Sequence, residues 1–390
     1  AVLTAVCTHL FGFNWLYWGA TALGLAVGVV VGMATNYFTD DRFNPVKAVA
    51  EASRTGPAFT IISGISYGFL SVFPALVGIA VAALGAFSIT NGIDPTTSVD
   101  ALFGISMSAV GMLSIVGMII SNDAYGPIVD NARGLVEMGG LGEKALEITD
   151  ELDSAGNTVK AVTKGFAIGA AGLTVIALLG AYLAEVNDVL AGHGMELLAG
   201  FDIMNPKVFF GLLVGSAVPA VFSGMLMLGV DRNAQRMVDE IHRQFDEIPG
   251  LKEGKKGVAP EYDKCIDIAT KGALRELVPA GLMAIGSTLL VGFVGGVHAI
   301  GGFLTGNIVS GLLLALFMSN AGGLWDNSKK YIEAGHEGGK GSDAHKSAVV
   351  GDTVGDPCKD TAGPSINTQI TVVSLVASLC AALFAIYSLL

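Results

Sequence analysis

Asp352, Asp356 and Asp360 stand four residues apart in VVGDTVGDPCKDTAGPSIN (349–367), with Lys359 among them and an apolar run soon after. Four-residue spacing predicts three carboxylates on one helical face, where like charges repel unless cations neutralise them. Three other stretches carry related chemistry. SNDAYGPIVDNARGL places Asp123 and Asp130 two turns apart, ELDSAGNTVKAVTKGFAIG places Asp153 and Asn157 four apart, and GGLWDNSKKYIEAG places Asp326 and Lys330 four apart beside Lys329. Oxygen-only ligands suit a hard cation such as Mg²⁺ rather than a transition metal. Carboxylates interleaved with lysines suit a polyanion shared between Mg²⁺ and ammonium groups, the arrangement of phosphate chemistry. Ion pairs that merely cap helices are the alternative at any single position. Four such groups on one membrane face favour function, because ionisable groups near a bilayer are costly. The sequence lacks GxxxxGK[ST], which argues against a nucleotide cradle of that type.

The elements that must carry these residues are apolar. Of 390 residues 52% are hydrophobic and 14% charged, with 53 glycines and a mean hydropathy of +0.62. Nearly charge-free windows run over 10–35, 58–93, 101–122, 165–184, 206–230, 277–325 and 370–390. Each is long enough for a membrane helix, which needs roughly 20 residues. The 277–325 window holds two, broken near GGVHAIGG, so about eight helices are expected in one all-α, polytopic transmembrane bundle spanning 1–390. Small residues recur within them, as in AIGAAGLTVIALLGAYLA, which suits close helix contact in lipid.

With the N-terminus outside, 21 of the 22 Lys and Arg fall on the cytoplasmic side and Lys207 alone opposes them. All four acid-bearing stretches lie on that face. The net charge of −12 reflects acids there as well, so a polar site is expected rather than headgroup attraction alone. Cys7, Cys265, Cys358 and Cys380 lack CxxC spacing and read as small apolar filler. In DRNAQRMVDEIHRQFDEIPG, Val238, Ile241, Phe245 and Ile248 mark an expected packed stripe on a helix that outlasts the bilayer. His336 and His345 have no ligand spacing and read as surface residues. The chain begins with Ala near a membrane segment and reads as a piece of something longer.

DAYGPIVDNA, AGNTVKAVTKGFAIG, GGLWDNSKKYIE and KGSDAHKSAVVGDTVGDPCKDTAGPSIN closely resemble signature segments of membrane-bound, ion-pumping pyrophosphatases, and the likeness runs through the whole chain. Members of that family have sixteen helices and act as homodimers. This chain resembles the C-terminal half, helices nine to sixteen.

The resemblance implies Mg²⁺-dependent hydrolysis of pyrophosphate, coupled to outward H⁺ pumping. Asp123, Asp153, Asn157, Asp326, Asp352 and Asp356 match metal-ligating or site-shaping positions, and Asp130 matches a supporting carboxylate. Lys329, Lys330 and Lys359 match phosphate-contacting lysines. Asp360 matches one of two aspartates that position the attacking water, without a phosphoenzyme. Lys160 and Thr163 resemble the K⁺-independent, proton-pumping class, in which a tethered ammonium takes the place of bound K⁺. The implied partners are pyrophosphate, H⁺, the N-terminal half, a second subunit and the lipid bilayer, with no nucleic acid. An Na⁺-coupled pump of the same family, a passive cation carrier and a non-catalytic scaffold are the alternatives; the lysines among the acids favour the enzyme.

Two departures stand out. The other water-positioning aspartate lies in the N-terminal half, so this chain by itself is expected to be inactive. The family's last helix carries a gate lysine eleven residues after the final motif aspartate; here Thr371 occupies that position, with Asn367 one turn before it. An ammonium lost there leaves any gate acid without its counter-charge.

Overall fold

The computed structural model describes residues 2–94 and 99–390; the side chains of Val116, Ile119, Asp123, Asn157, Thr158, Lys160 and Ala161 lie outside that description. Among the described residues the fold is all helix. In chain order the helices are α1 (Val2–Phe11), α2 (Trp15–Thr39), α3 (Asn44–Ser53), α4 (Pro57–Thr90), α5 (Val99–Met112), α6 (Val116–Gly139), α7 (Glu143–Gly192), α8 (Pro206–Glu247) and α9 (Tyr262–Glu333). They continue with α10 (Asp343–Asp356), a π-helical turn (Pro357–Ala362), α11 (Gly363–Leu379) and α12 (Ala381–Ile386). Asn14 and Asn205 cap α2 and α8, each accepting a first-turn backbone N–H, and Pro206 follows the second cap where no N–H is needed.

Among the described residues five helical stretches are long and apolar enough to cross a membrane: Trp15–Ser53, Pro57–Thr90, Val162–Gly192, Pro206–Glu247 and Tyr262–Glu333. Val99–Ile115 and Ile120–Gly139, a pair bent by 48°, bring the number to six if the two count as one span. The expectation of eight differs from this in two places. First, α9 is one continuous helix of 72 residues only by hydrogen bonding: Gly296 sits at φ 67°, ψ −163°, and the chain turns back there. Before the turn, Gly229 faces Glu276 and Gly272 faces Asn233, so the first limb runs antiparallel to α8. After it, Gly211 faces Ala299 and Gly215 faces Phe303, so the second limb runs parallel to α8. The break expected near GGVHAIGG is this reversal. Second, the 370–390 window makes no single long helix, because α11 ends at Leu379 and the short α12 follows.

The close approach of α8 to the second limb depends on missing side chains. A Cβ at Gly211 would lie 1.8 Å from the Ala299 carbonyl oxygen, whereas one at Gly224 on the same helix meets nothing within 4 Å. We expect Gly211→Ala to destabilise the solubilised protein by about 3 kcal/mol or more, since backbone must move rather than a rotamer. Gly224→Ala serves as the neutral control. Equal thermal unfolding midpoints for the two variants would refute this packing.

Two large apolar cores hold most of the bundle, with smaller clusters around Trp325 and Ile332 at the site end. One joins α2, α4, α5, α7 and the second limb of α9 through residues such as Val31, Ile79, Met112, Leu173 and Leu316. The other joins α7, α8, α9 and α11 through Tyr182, Phe222, Ala284, Phe303 and Val373. The polar C-terminal extension of α8 departs from its predicted stripe: Val238, Ile241 and Phe245 are exposed. Its packed residue is Gln244, whose amide bridges the Glu261 backbone, while Arg243 pairs with Glu240, Glu247 and Glu261. The pairing partner there is a polar helix start, so hydrogen bonds rather than apolar contacts close the hairpin.

Candidate active site

The second limb of α9 is the backbone of the site, and its rotation is held by neutral donors. Trp325 Nε1 donates to the Thr60 carbonyl (3.0 Å), Asn327 Nδ2 to Thr39 (2.6 Å) and Ser328 Oγ to Val46 (3.1 Å). These carbonyls belong to α4, the C-terminal end of α2 and α3. A helix C-terminus leaves carbonyls without intrahelical donors, and Asn327 satisfies one of them. With 325, 327 and 328 committed to these neighbours, Asp326 is turned the other way, toward α10.

There Asp326, Asp352 and Asp356 each bring one carboxylate oxygen within 4.8 Å of the others. Lys359 pairs with Asp326, lies 3.0 Å from Asp356 and 3.9 Å from Asp352. Lys329 pairs with Asp352 and lies 3.5 Å from Asp326. Lys330 lies 2.5 Å from Asp153 and 3.6 Å from Asp326. Asp326, Asp352, Lys359 and Asp153 are all buried. Burial, then the neighbouring Asp326 carboxylate, push the Asp352 carboxyl up to about 6. Burial works against the Lys359 ammonium, yet Asp326, Asp356 and Asp352 together raise it well above the ordinary lysine range. Opposite signs thus hold one another in place at the end of the bundle.

One oxygen each of Asp326 and Asp352, and Oδ1 of Asp153, are buried without a hydrogen bond, while Asp153 Oδ2 is held by the Lys330 ammonium. Buried carboxylate oxygens in that state are costly. Together with an oxygen-only donor set, they fit a hard divalent cation.

Asp360 departs from the expected common face. The π turn advances more residues per revolution than an α-helix, so Lys359 rather than Asp360 continues the face of Asp352 and Asp356. Asp360 points to Lys164 on α7 (3.3 Å), is nearly half exposed, and with Asp356 and Thr361 borders an open cavity of about 560 Å³ beside α8. Asp130 is exposed on α6 and makes no bond to the cluster among the described residues. The side chains of Asp123, Asn157 and Lys160 lie outside the described set. Thr163 is buried on α7. Thr371 is exposed and donates to the Asn367 carbonyl (3.1 Å), while Gln369 turns inward and donates to Asn307 (2.9 Å).

Two features escaped sequence reasoning. Arg133 on α6 lies 2.6 Å from Asp150 and 3.5 Å from Glu333, and Glu333 is bonded at 2.9 Å to His345, which is therefore not a free surface histidine. His345 Nδ1 accepts the Gly341 N–H, which leaves its Nε2 to donate. His336 is exposed but stacked on Tyr331. These partners are distant in sequence, and no spacing signals them. The second feature is Lys164 at Asp360, which the sequence shows only as one more basic residue.

Long apolar helices, a doubled-back limb and a buried acid–lysine cluster at their ends define an integral membrane protein of the polyhelical kind. The chain belongs to the inorganic H⁺ pyrophosphatase family, which it matches over residues 1–380. It is 47% identical over 375 residues to a K(+)-insensitive pyrophosphate-energized proton pump of Chloroflexus aurantiacus, covering 94% of this chain and 48% of that protein. It is 47% identical over 360 residues to the K(+)-insensitive pyrophosphate-energized proton pump of Methanosarcina mazei, covering 92% and 52%. It is also 44% identical over 398 residues to a putative K(+)-stimulated pyrophosphate-energized sodium pump of Bacteroides thetaiotaomicron, covering 96% and 54%. The chain spans about half the length of the curated relatives it matches.

Proposed function

We propose that this segment forms part of a membrane pyrophosphatase that hydrolyses inorganic pyrophosphate on the cytoplasmic face and moves H⁺ outward, independently of K⁺. The observation that carries the reading is the interleaving itself: three carboxylates within ligand range of one another, with Lys329, Lys330 and Lys359 among them. A cation carrier gains nothing from three ammonium groups placed in its site, whereas a phosphate site uses both signs. Each ammonium has three donors, so the lysines can pass from carboxylate to phosphate oxygens without leaving the cluster. Asp326, Asp352 and Asp356 would hold Mg²⁺, with Asp153 and, by resemblance, Asp123, Asn157 and Asp130 completing the set. Bound Mg²⁺ would neutralise phosphate charge and polarise the phosphoryl oxygens. Asp360, set apart at the cavity, orients the attacking water. The same resemblance supports a homodimer, one transmembrane domain over 1–390, and a requirement for the N-terminal half. Lys160 and Thr163 support independence of K⁺; relatives named as sodium pumps keep Na⁺ coupling as the second reading.

The test is Mg²⁺-dependent pyrophosphate hydrolysis in vesicles carrying the full-length protein, with and without K⁺, read beside a pH-gradient dye and ²²Na⁺ uptake. Hydrolysis without K⁺ and with acidification supports the proton reading. Sodium uptake requiring K⁺ favours the second, and absence of hydrolysis in the full-length protein defeats both. The 390-residue chain alone is expected to be inactive, and turnover by it would remove the need for a second half.

Thr371 and Asn367 are assigned to the ion gate on the same reading, one helix downstream of the cluster. Restoring an ammonium with Thr371→Lys is expected to change H⁺ transport per pyrophosphate at least about fivefold, with hydrolysis within about twofold. Equal effects on both would refute the gate assignment.

A further inference from the structure

The turn from Pro357 to Ala362 is π-helical, so its N–H groups reach back five residues, and Gly363 accordingly donates to the Cys358 carbonyl. The next donor in that series belongs to residue 364, which is proline and has no N–H. The Lys359 carbonyl is therefore deprived of its backbone partner beside a buried side chain. Left bare, a buried carbonyl is costly. Lys164 supplies the missing donor: its Nζ bonds the Lys359 carbonyl and lies 3.3 Å from Asp360 Oδ1, with its side chain 15% exposed. The backbone carbonyl is the nearer of the two partners, so this is more than an ion pair at a helix end.

We propose that Lys164 is a positioning residue for pyrophosphate hydrolysis, binding the Lys359 backbone and the Asp360 carboxylate with one ammonium. The inference rests on the pyrophosphate reading above. Neighbouring residues in a helical turn must point to different sides, and here the two sides have different tasks. Lys359 reaches into the Asp326, Asp352 and Asp356 cluster, while Asp360 faces the open cavity. Rotation of the turn by a fraction of a residue would misplace both at once. A cation attached to α7 stops that rotation without entering the cluster itself.

Pro364 provides the discriminating test, because Pro364→Ala returns a backbone N–H that can serve the Lys359 carbonyl. In full-length protein reconstituted in vesicles, Lys164→Met is expected to lower kcat about 100-fold with KM within about threefold, the signature of misplaced reacting groups. Lys164→Arg is expected to keep kcat within about tenfold of the parent. Adding Pro364→Ala to Lys164→Met is expected to recover kcat about tenfold. A Lys164→Met enzyme within threefold of the parent in kcat, a loss expressed only in KM, or a loss untouched by Pro364→Ala overturns the proposal. If Lys164→Met fails to assemble, Lys164→Gln replaces it in both arms under the same criteria. Protection from proteolysis by Mg²⁺ and pyrophosphate, measured on the parent protein, separates the two levels. A parent that is neither protected nor active defeats the pyrophosphate reading, whereas an active parent with an indifferent Lys164 defeats only this inference.

Discussion

Asp326→Asn should abolish measurable turnover and also weaken the fold, whereas Asp356→Asn should do only the first. Asp326 is buried and shared by three ammonium groups, and Lys359 beside it is equally buried. Neutralising the shared acid takes from the buried Lys359 ammonium its closest carboxylate. Stranding a buried charge costs about 3–5 kcal/mol, and the low end applies because Asp356 remains 3.0 Å from Lys359. The Asp356 side chain is 53% exposed, so solvent screens its loss and the stability change stays below about 1 kcal/mol. Both variants remove a carboxylate from the triad, and for each we expect kcat/KM to fall about 1000-fold, equivalent to roughly 4 kcal/mol of charge stabilisation. The measurements are Mg²⁺-dependent hydrolysis and thermal unfolding of the full-length protein. Asp326→Asn with parental stability, or either variant within tenfold of parental activity, would falsify the assignment of a shared acid centre.

Lys330→Met carries the second large effect, through the residue it abandons. Asp153 on α7 is 1% exposed, and Lys330 at 2.5 Å is its cation among the described residues. Truncating Lys330 leaves the buried Asp153 carboxylate without the ion pair that the described residues give it. The expected destabilisation is about 3–5 kcal/mol. Because the cost arises from the stranded partner, removing the partner's charge should restore stability. The double variant Asp153→Asn/Lys330→Met is expected to be more stable than Lys330→Met by about 2 kcal/mol, a coupling measurable by a double-mutant cycle. Additive losses would show that the two residues do not act as a pair. Activity should remain low in the double variant if, as proposed, Lys330 serves phosphate and Asp153 metal.

These expectations differ in how far sequence alone could reach. The acid and lysine positions in the GGLWDNSKK and VGDTVGDPCKD segments are visible as i, i+3 and i, i+4 pairs, but the triad that forms joins Asp352 and Asp356 to Asp326 of the other segment, while Asp360 leaves the face its spacing promised. Arg133, His345 and Lys164 are equally plain as residue types, yet apart from the i, i+4 pair of Arg133 with Glu137 their charged partners lie on other helices. Local spacing cannot report a contact made by tertiary packing. The α8 extension makes the same point in reverse: its apolar period was legible, but the helix start opposite it is polar, so Gln244 became the packed residue.

What sequence determined by itself was the membrane character, the approximate spans, the break in the 277–325 window and the residue types of the site. These follow from apolar run length and from charge, both local quantities. What only the tertiary structure decided was direction. Gly296 turns one limb of α9 back on the other, and neutral bonds from Trp325, Asn327 and Ser328 aim Asp326 inward. The π turn separates Asp360 from the face its spacing promised, because two prolines remove donors and a cation from another helix takes up the carbonyl that one of them leaves. Spacing counts residues along an ideal helix; packing sets how many residues each turn actually contains.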